Sequence, residues 1–353
     1  MKRLPKLLLL LFFSIQTYSQ ILATAPKKYI DYAITENYIY ALSNKNTVTL
    51  FNKGNLSLSD KKIEYTAPII LIEADKQGNI VIVDREHTIK RYNEKDNTWT
   101  LISKSANEIE GLLFTDKNYC YAITYNGIED VQTGKIYFSD KSVSNHTYTD
   151  KIWKGGKGDI SCYYMDRYNR IWIGFSYGEW GGNIFLFDTS IKKFLIPKLG
   201  RYNIKLMNIR SFFEDSKNVY LSSGVSHMGH FSGDIAKFNT LNASAIFGSN
   251  PETATNSQFI LTANYNTFNN FIYFYSQTGF YKGDVTKDLS KFKNWQFIAK
   301  PKEQTWYTSN SDETTKLPMT VYDITLLDKN RFIFQSQNDG IGYFDGSKII
   351  MIN

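Results

Sequence analysis

Asp166-Arg167-Tyr168-Asn169-Arg170-Ile171-Trp172-Ile173-Gly174 is the stretch on which the fold is decided. Its first half holds an Asp and an Asn three residues apart. Both close tight turns, because their side chains bond the local backbone and Asn tolerates positive φ. Its second half is a short apolar run around an aromatic, ended by glycine, and reads as a buried strand. Gly182-Asn183-Ile184-Phe185-Leu186-Phe187-Asp188 follows as a further strand that ends in an aromatic and a polar turn.

The unit recurs. Asn, usually one spacer, an apolar residue and then an aromatic or branched residue appear as Asn37-Tyr38-Ile39-Tyr40, Asn79-Ile80-Val81, Asn118-Tyr119-Cys120-Tyr121 and Asn169-Arg170-Ile171-Trp172. The pattern continues as Asn218-Val219-Tyr220, Asn270-Phe271-Ile272-Tyr273 and Asn330-Arg331-Phe332-Ile333. From Tyr40 to Ile333 the steps between copies are 41, 40, 51, 48, 53 and 60 residues. Each step has room for four short strands with turns, one blade of a propeller. Five copies are preceded by an acidic turn, beginning at Asp75, Asp116, Asp166, Asp215 and Asp328, and an apolar strand runs into each turn. The expected fold is therefore all-β, a seven-bladed β-propeller of four-stranded antiparallel blades over residues 27–353. Trp172 and its tyrosine counterparts are expected to pack between blades, since sites do not usually recur seven times. The turn aspartates are expected to be structural.

The stretch from Asp166 to Gly174 with Gly182 to Asp188 resembles the two-component-regulator propeller repeat, found in periplasmic sensor domains of hybrid histidine kinases in Bacteroidota. The resemblance extends over the whole repeat region, with blade four the best copy. It implies the fold and an envelope compartment. No kinase or regulator segment is read in the chain, so the signalling output of those sensors is not expected of it.

The N-terminus points to the same compartment. Lys2, Arg3 and Lys6 precede an unbroken apolar run from Leu7 to Phe13, and Thr17-Tyr18-Ser19-Gln20 offers small residues for cleavage after Ser19. This is the grammar of a secretory signal peptide, expected over residues 1–19, with a short lead over 20–26. Seven apolar residues are too few to span a bilayer. The formal charge of +7 falls to +4 once three leader charges are removed, and no basic block exists to track phosphates, which argues against nucleic acid. The two cysteines, Cys120 and Cys162, lie in apolar runs and read as buried free thiols.

Function is expected on one face. The acidic turns joining first to second strands stay short. Extra length falls between second and third strands at 176–182 and 224–233, and between blades at 140–158, 248–257 and 300–317. Strand alternation puts both kinds of insertion on the same face, and long loops on a rigid scaffold carry binding. Trp153, Tyr177, Trp180, His227, Phe231, Trp306 and Tyr307 lie there in polar surroundings. Aromatic anchors with a polar rim suit a protein interface.

Catalysis has little to stand on. There is no G-x-S-x-G elbow and no phosphate-cradling glycine loop. His227-x-x-His230 with Asp234 is weak as a metal set, so no metal or cofactor is expected. The expected role is a non-catalytic interaction module in the periplasm or at the periplasmic side of the outer membrane. It would be an accessory subunit of an envelope protein complex such as outer-membrane secretion or uptake machinery. A glycan- or ligand-binding sensor is the first alternative and a carbohydrate-active enzyme the second.

Overall fold

Each copy of the repeat folds as an antiparallel meander, and the copy around Trp172 shows how. Its first strand, Ile160–Met165, enters a turn in which Asn169 takes a φ of 56° and its N–H donates to the Asp166 carbonyl at 2.9 Å. One oxygen of the Asp166 carboxylate accepts the Tyr168 and Arg170 N–H groups at 2.9 Å each. The other accepts the Arg170 side chain at 2.7 Å and the Trp172 indole at 2.9 Å. One side chain thus fixes both the turn and the aromatic of the following strand. The second to fourth strands, Arg170–Ser176, Gly182–Asp188 and Lys193–Leu195, then pair in sequence order.

This computed structural model describes residues 22–23, 29–139, 160–178, 181–204, 206–227, 230–248, 257–302, 304–308 and 314–352. Seven such sheets form a propeller, with innermost strands Tyr29–Ile34, Ile69–Ala74, Ile109–Phe114, Ile160–Met165, Asn208–Glu214, Ile260–Asn266 and Val321–Leu326. Six sheets have four strands. In blade one the fourth position is reduced to a single bridge between Phe51 and Leu58. The expected signal peptide lies outside the described residues. Part of the lead, Leu22–Ala23, is a short strand treated below.

The core is divided among the seams between blades. Among the described residues there are seven clusters of buried apolar side chains, and each draws on two neighbouring blades. Trp172 is fully buried and lies 5.6 Å from Phe212 and 4.9 Å from Phe238 of blade five. Tyr121 meets Phe187 of blade four at 6.2 Å, and Tyr273 meets Phe332 of blade seven at 6.0 Å. The repeated aromatics are thus the packing residues of the seams. Blade seven meets blade one in the same way, through Ile333, Ile341, Tyr343 and Ile352 against Tyr29, Ile39, Ala41 and Phe51. Among the described residues no strand is exchanged across that seam. Cys120 and Cys162 are free, the first buried and the second half-buried.

One regularity has no counterpart in the repeat pattern. Every innermost strand slips register near its start, leaving Ile30, Ile70, Glu110, Ser161, Arg210, Leu261 and Tyr322 as the extra residue. A bulge of this kind sharpens the twist and re-aims side chains. Repeated seven times, it sets what faces the axis.

Candidate functional site

Where it is described, the insertion-bearing face is built largely of strand. In blade five the second and third strands, Val219–His227 and His230–Asn239, stay paired through Gly224–Gly233, Val225–Ser232, Ser226–Phe231 and His227–His230. The segment 224–233, expected as a loop, is therefore the outer half of a long hairpin. Glycine misled here because it serves close approach. A Cβ on Gly224 would stand 2.2 Å from the Ile260 carbonyl oxygen, and one on Gly233 would stand 2.6 Å from that of Gln258. In blade four, Ser176 pairs with Gly182 and the Tyr177 N–H donates to the Gly181 carbonyl at 2.9 Å, so this insertion also extends a ladder. Between blades six and seven, Gln304–Thr308 and Thr314–Leu317 form a hairpin, and Leu22–Ala23 adds to it through Thr308 and Tyr307. The expected loop 300–317 thus carries a small sheet of its own.

The seven expected anchors divide accordingly. Tyr177 is half-buried and packs on Phe175 of its own blade at 6.1 Å. Phe231 is half-buried and stacks on Phe259 at 6.4 Å, with an interplanar angle of 22°. His227 lies opposite His230 near the tip of the long hairpin. Trp306 and Tyr307 fall in the first strand of the added hairpin. Trp153 and Trp180 lie outside the described residues, as do all of 140–158 and most of 248–257. Two exposed apolar residues flank this face and were not singled out from sequence. Leu206 lies in the connection into blade five, and Phe138 lies beside the connection into blade four. Each is an isolated apolar residue without a repeat position, so no pattern marked it.

Asp234, on the third strand of blade five, is pushed up to about 6 by burial. Among the described residues no three side chains of the metal-ligating types come together.

The second feature is axial. A cavity of about 530 Å³ is lined by the innermost strands of blades one, two, four, five, six and seven. Three carboxylates face it: Asp31 from blade one, Glu73 from blade two and Asp323 from blade seven. Asp31 accepts the Ile72 N–H at 3.2 Å, and Asp323 accepts the Tyr32 hydroxyl. Burial, then the charges of Asp31 and Asp323, push Glu73 well above the usual carboxylate range. Burial raises Asp323 as well. Arg210, the bulge residue of blade five, lines the same cavity. Burial lowers its pKa, and its guanidinium lies 5.2 Å from the Phe259 ring. Arg210, Phe259 and Phe231 therefore form a chain of contacts from the cavity to the long hairpin. None of these charged residues was singled out from sequence. The signal was a charge interrupting an apolar strand, as in Ile69-Ile70-Leu71-Ile72-Glu73-Ala74.

No protein-family model matches the chain, and no curated protein does. Among solved structures, Ika8, a computationally designed protein, aligns with a TM-score of 0.52 at 12% identity, covering 93% of this chain and 87% of that one. PorZ, a surface component of the type-IX secretion system of Porphyromonas gingivalis, aligns with a TM-score of 0.49 at 12% identity, covering 94% of this chain and 39% of PorZ. At such identities the likeness to Ika8 is one of fold, and this chain spans well under half the length of PorZ.

Proposed function

We propose that this propeller is a non-catalytic protein-interaction module of the bacterial envelope, exported by its N-terminal leader and docked on a larger envelope complex. Outer-membrane secretion or uptake machinery is the proposed host. The observation that carries this is the asymmetry of the disc. The acidic turns on one face are short and repetitive, whereas the other face carries a long hairpin on blade five and an added sheet between blades six and seven. Projecting, hydrogen-bonded hairpins present a pre-ordered surface, which lowers the entropic cost of docking. No helix among the described residues is long and apolar enough to cross a membrane. That fits attachment through a partner protein.

The test is affinity purification of the tagged chain from native membranes, followed by binding measurements on the captured partner. Stoichiometric recovery of a membrane-embedded protein supports the proposal. Trp180→Ala with Trp306→Ala should then weaken that binding at least about tenfold, as expected for anchors at an interface centre. A monomer that recovers nothing, or turnover of a polysaccharide by the purified chain, would overturn the proposal. Loss of binding on changing Lys117 and Lys217, with the tryptophan pair silent, would move the interface to the opposite face.

A further inference from the structure

Each first-to-second turn is capped from within by one side chain. In blade four the Asp166 carboxylate accepts the Tyr168 N–H at 2.9 Å, and in blade six the Asn266 side-chain oxygen accepts the Phe268 N–H at the same distance. Asp75 accepts the Gln77 N–H at 2.9 Å, Asp215 the Lys217 N–H at 2.6 Å and Asp328 the Asn330 N–H at 2.9 Å. Thr35 and Thr115 cap the corresponding turns of blades one and three. A cap of this kind holds the turn and leaves the next two residues at its tip. The blades are equivalent, so the seven tips form a ring about the axis, on the face opposite the long hairpin.

Turn chemistry explains the caps but not the tips. Lys76, Lys117, Lys217 and Lys329 stand there exposed, and none of the four makes an ion pair among the described residues. Tyr168 and Phe268 occupy the same place in blades four and six, at 59% and 53% exposure. The carboxylates beneath are largely matched inside the fold. Asp75 and Asp166 are buried and paired with Arg91 and Arg170 of their own blades, and Asp328 is paired with Arg331. The exposed carboxylates at the tips are Glu36 and Asp116, two against four lysines. A feature repeated around an axis suits a partner that is alike in every direction. A folded protein shows each blade a different chemistry, whereas a lipid surface shows all of them the same headgroups. Lysines at the phosphates and aromatic rings at the interface are the side chains that such a surface takes.

We propose that the plain face of the disc rests on a membrane surface of anionic phospholipid, with Lys76, Lys117, Lys217 and Lys329 at the headgroup phosphates and Tyr168 and Phe268 entering the interface. The contact is peripheral and leaves the insertion-bearing face free. The inference is therefore independent of the docking proposal, which concerns that other face.

Co-sedimentation of the whole mature chain with vesicles tests it without any partner protein. The chain should bind vesicles of phosphatidylglycerol and phosphatidylcholine in equal parts at low salt. It should bind phosphatidylcholine alone at least about tenfold more weakly, and lose affinity for the mixed vesicles as salt rises. Lys76→Gln with Lys329→Gln should weaken binding at least about tenfold, since one lysine at an anionic surface contributes about fivefold. Lys45→Gln with Lys302→Gln removes the same charge from exposed positions on the opposite face, and should change binding less than about twofold. Phe268→Ser should weaken binding about fivefold or more through loss of the interfacial ring. All of these side chains are exposed, so every variant should melt with wild type. The proposal fails if the chain does not sediment with the mixed vesicles at low salt, or binds phosphatidylcholine alone as well. It fails equally if the opposite-face pair weakens binding as much as the tip pair, or if Phe268→Ser binds like wild type.

Discussion

At the scale of the residue, Trp172 and Asp234 make opposite demands on the fold. Trp172 fills the seam between blades four and five and donates its indole proton to Asp166. Trp172→Ala should cost about 3–5 kcal/mol in urea unfolding, as for other large-to-small core changes. Leu101→Ala, at 61% exposure, should stay within about 0.5 kcal/mol. A Trp172 variant that unfolds like wild type would remove the seam as the seat of stability. Asp234 is the reverse case. Its carboxyl titrates near 6 when folded because it is buried, against about 3.9 in an unfolded chain. Between those values the folded protein holds a proton that the unfolded chain has released, so stability falls as pH rises from about 4 to about 6 and is flat above. Asp234→Asn removes this contribution. The melting-temperature gap between variant and wild type should therefore move in the variant's favour across that window and stay constant above it. A gap that does not change with pH would show that Asp234 is not buried as described. Trp172 was legible in the sequence because it recurs in register with Tyr40, Tyr121 and Tyr273. Glu73 and Arg210 were not, because each occurs in one blade, and the bulges that set the axial wall carry no sequence signature.

At the scale of the element, the motif asparagine does two jobs, of which the sequence revealed one. Asn118 takes a φ of 61° in its own turn, the role that turn chemistry anticipates. Its side chain also reaches back to the previous blade, accepting the Lys76 N–H at 3.1 Å and donating to the Asp75 carboxylate at 2.9 Å. Asn169 likewise accepts the Asp116 N–H at 2.9 Å. The second job was hidden because its partner lies about forty residues upstream, one blade away. Asn118→Gly keeps the backbone conformation and loses the latch, so it should cost about 1 kcal/mol. Asn118→Ala adds the left-handed strain of a Cβ, a further 1–2 kcal/mol or so. A glycine variant as stable as wild type, read from urea midpoints, would show that the latch contributes nothing, and equal losses in the two variants would show that the left-handed backbone carries no strain. The blade-five hairpin makes a similar point about glycine. Gly224→Val must drive a side chain into the backbone of blade six, and a cost of about 1–3 kcal/mol is expected. A variant that melts with wild type would mean that blades five and six are not in the contact described.

At the scale of the molecule, blade number and order were legible, because seven like units stacked side by side bury seven like seams. The elaborated face was legible as a place but not as a structure. The described insertions at 176–182, 224–233 and 300–317, counted as loops, proved to include paired strands, since Val225, Ser226 and His227, for example, find cross-strand partners that sequence spacing alone does not announce. Among the described residues each blade is one continuous stretch of chain, with no strand shared between first and last. A circular permutant that joins 353 to 20 through a short linker, so that Leu22–Ala23 still pairs with Thr308 and Tyr307, and that opens between blades two and three, at residues 105–108, should therefore fold to the same ring. Its far-ultraviolet circular dichroism should match that of the parent, with a melting temperature a few degrees lower. A permutant that fails to fold would mean that the blade-seven seam depends on chain ends in a way the strand pairing does not show.

That seam has a consequence in time. Synthesis and export both run from the N-terminus, so blade one arrives first and blade seven last, and the flank formed by Tyr29, Ile39, Ala41 and Phe51 waits uncovered until the final residues emerge. The Tyr32–Asp323 and Gln335–Tyr29 bonds, spanning 291 and 306 residues, form only then. Asp323 reaches Asp31 and Glu73 at the same moment. The axial cavity is thus walled completely only once the seventh blade has closed on the first.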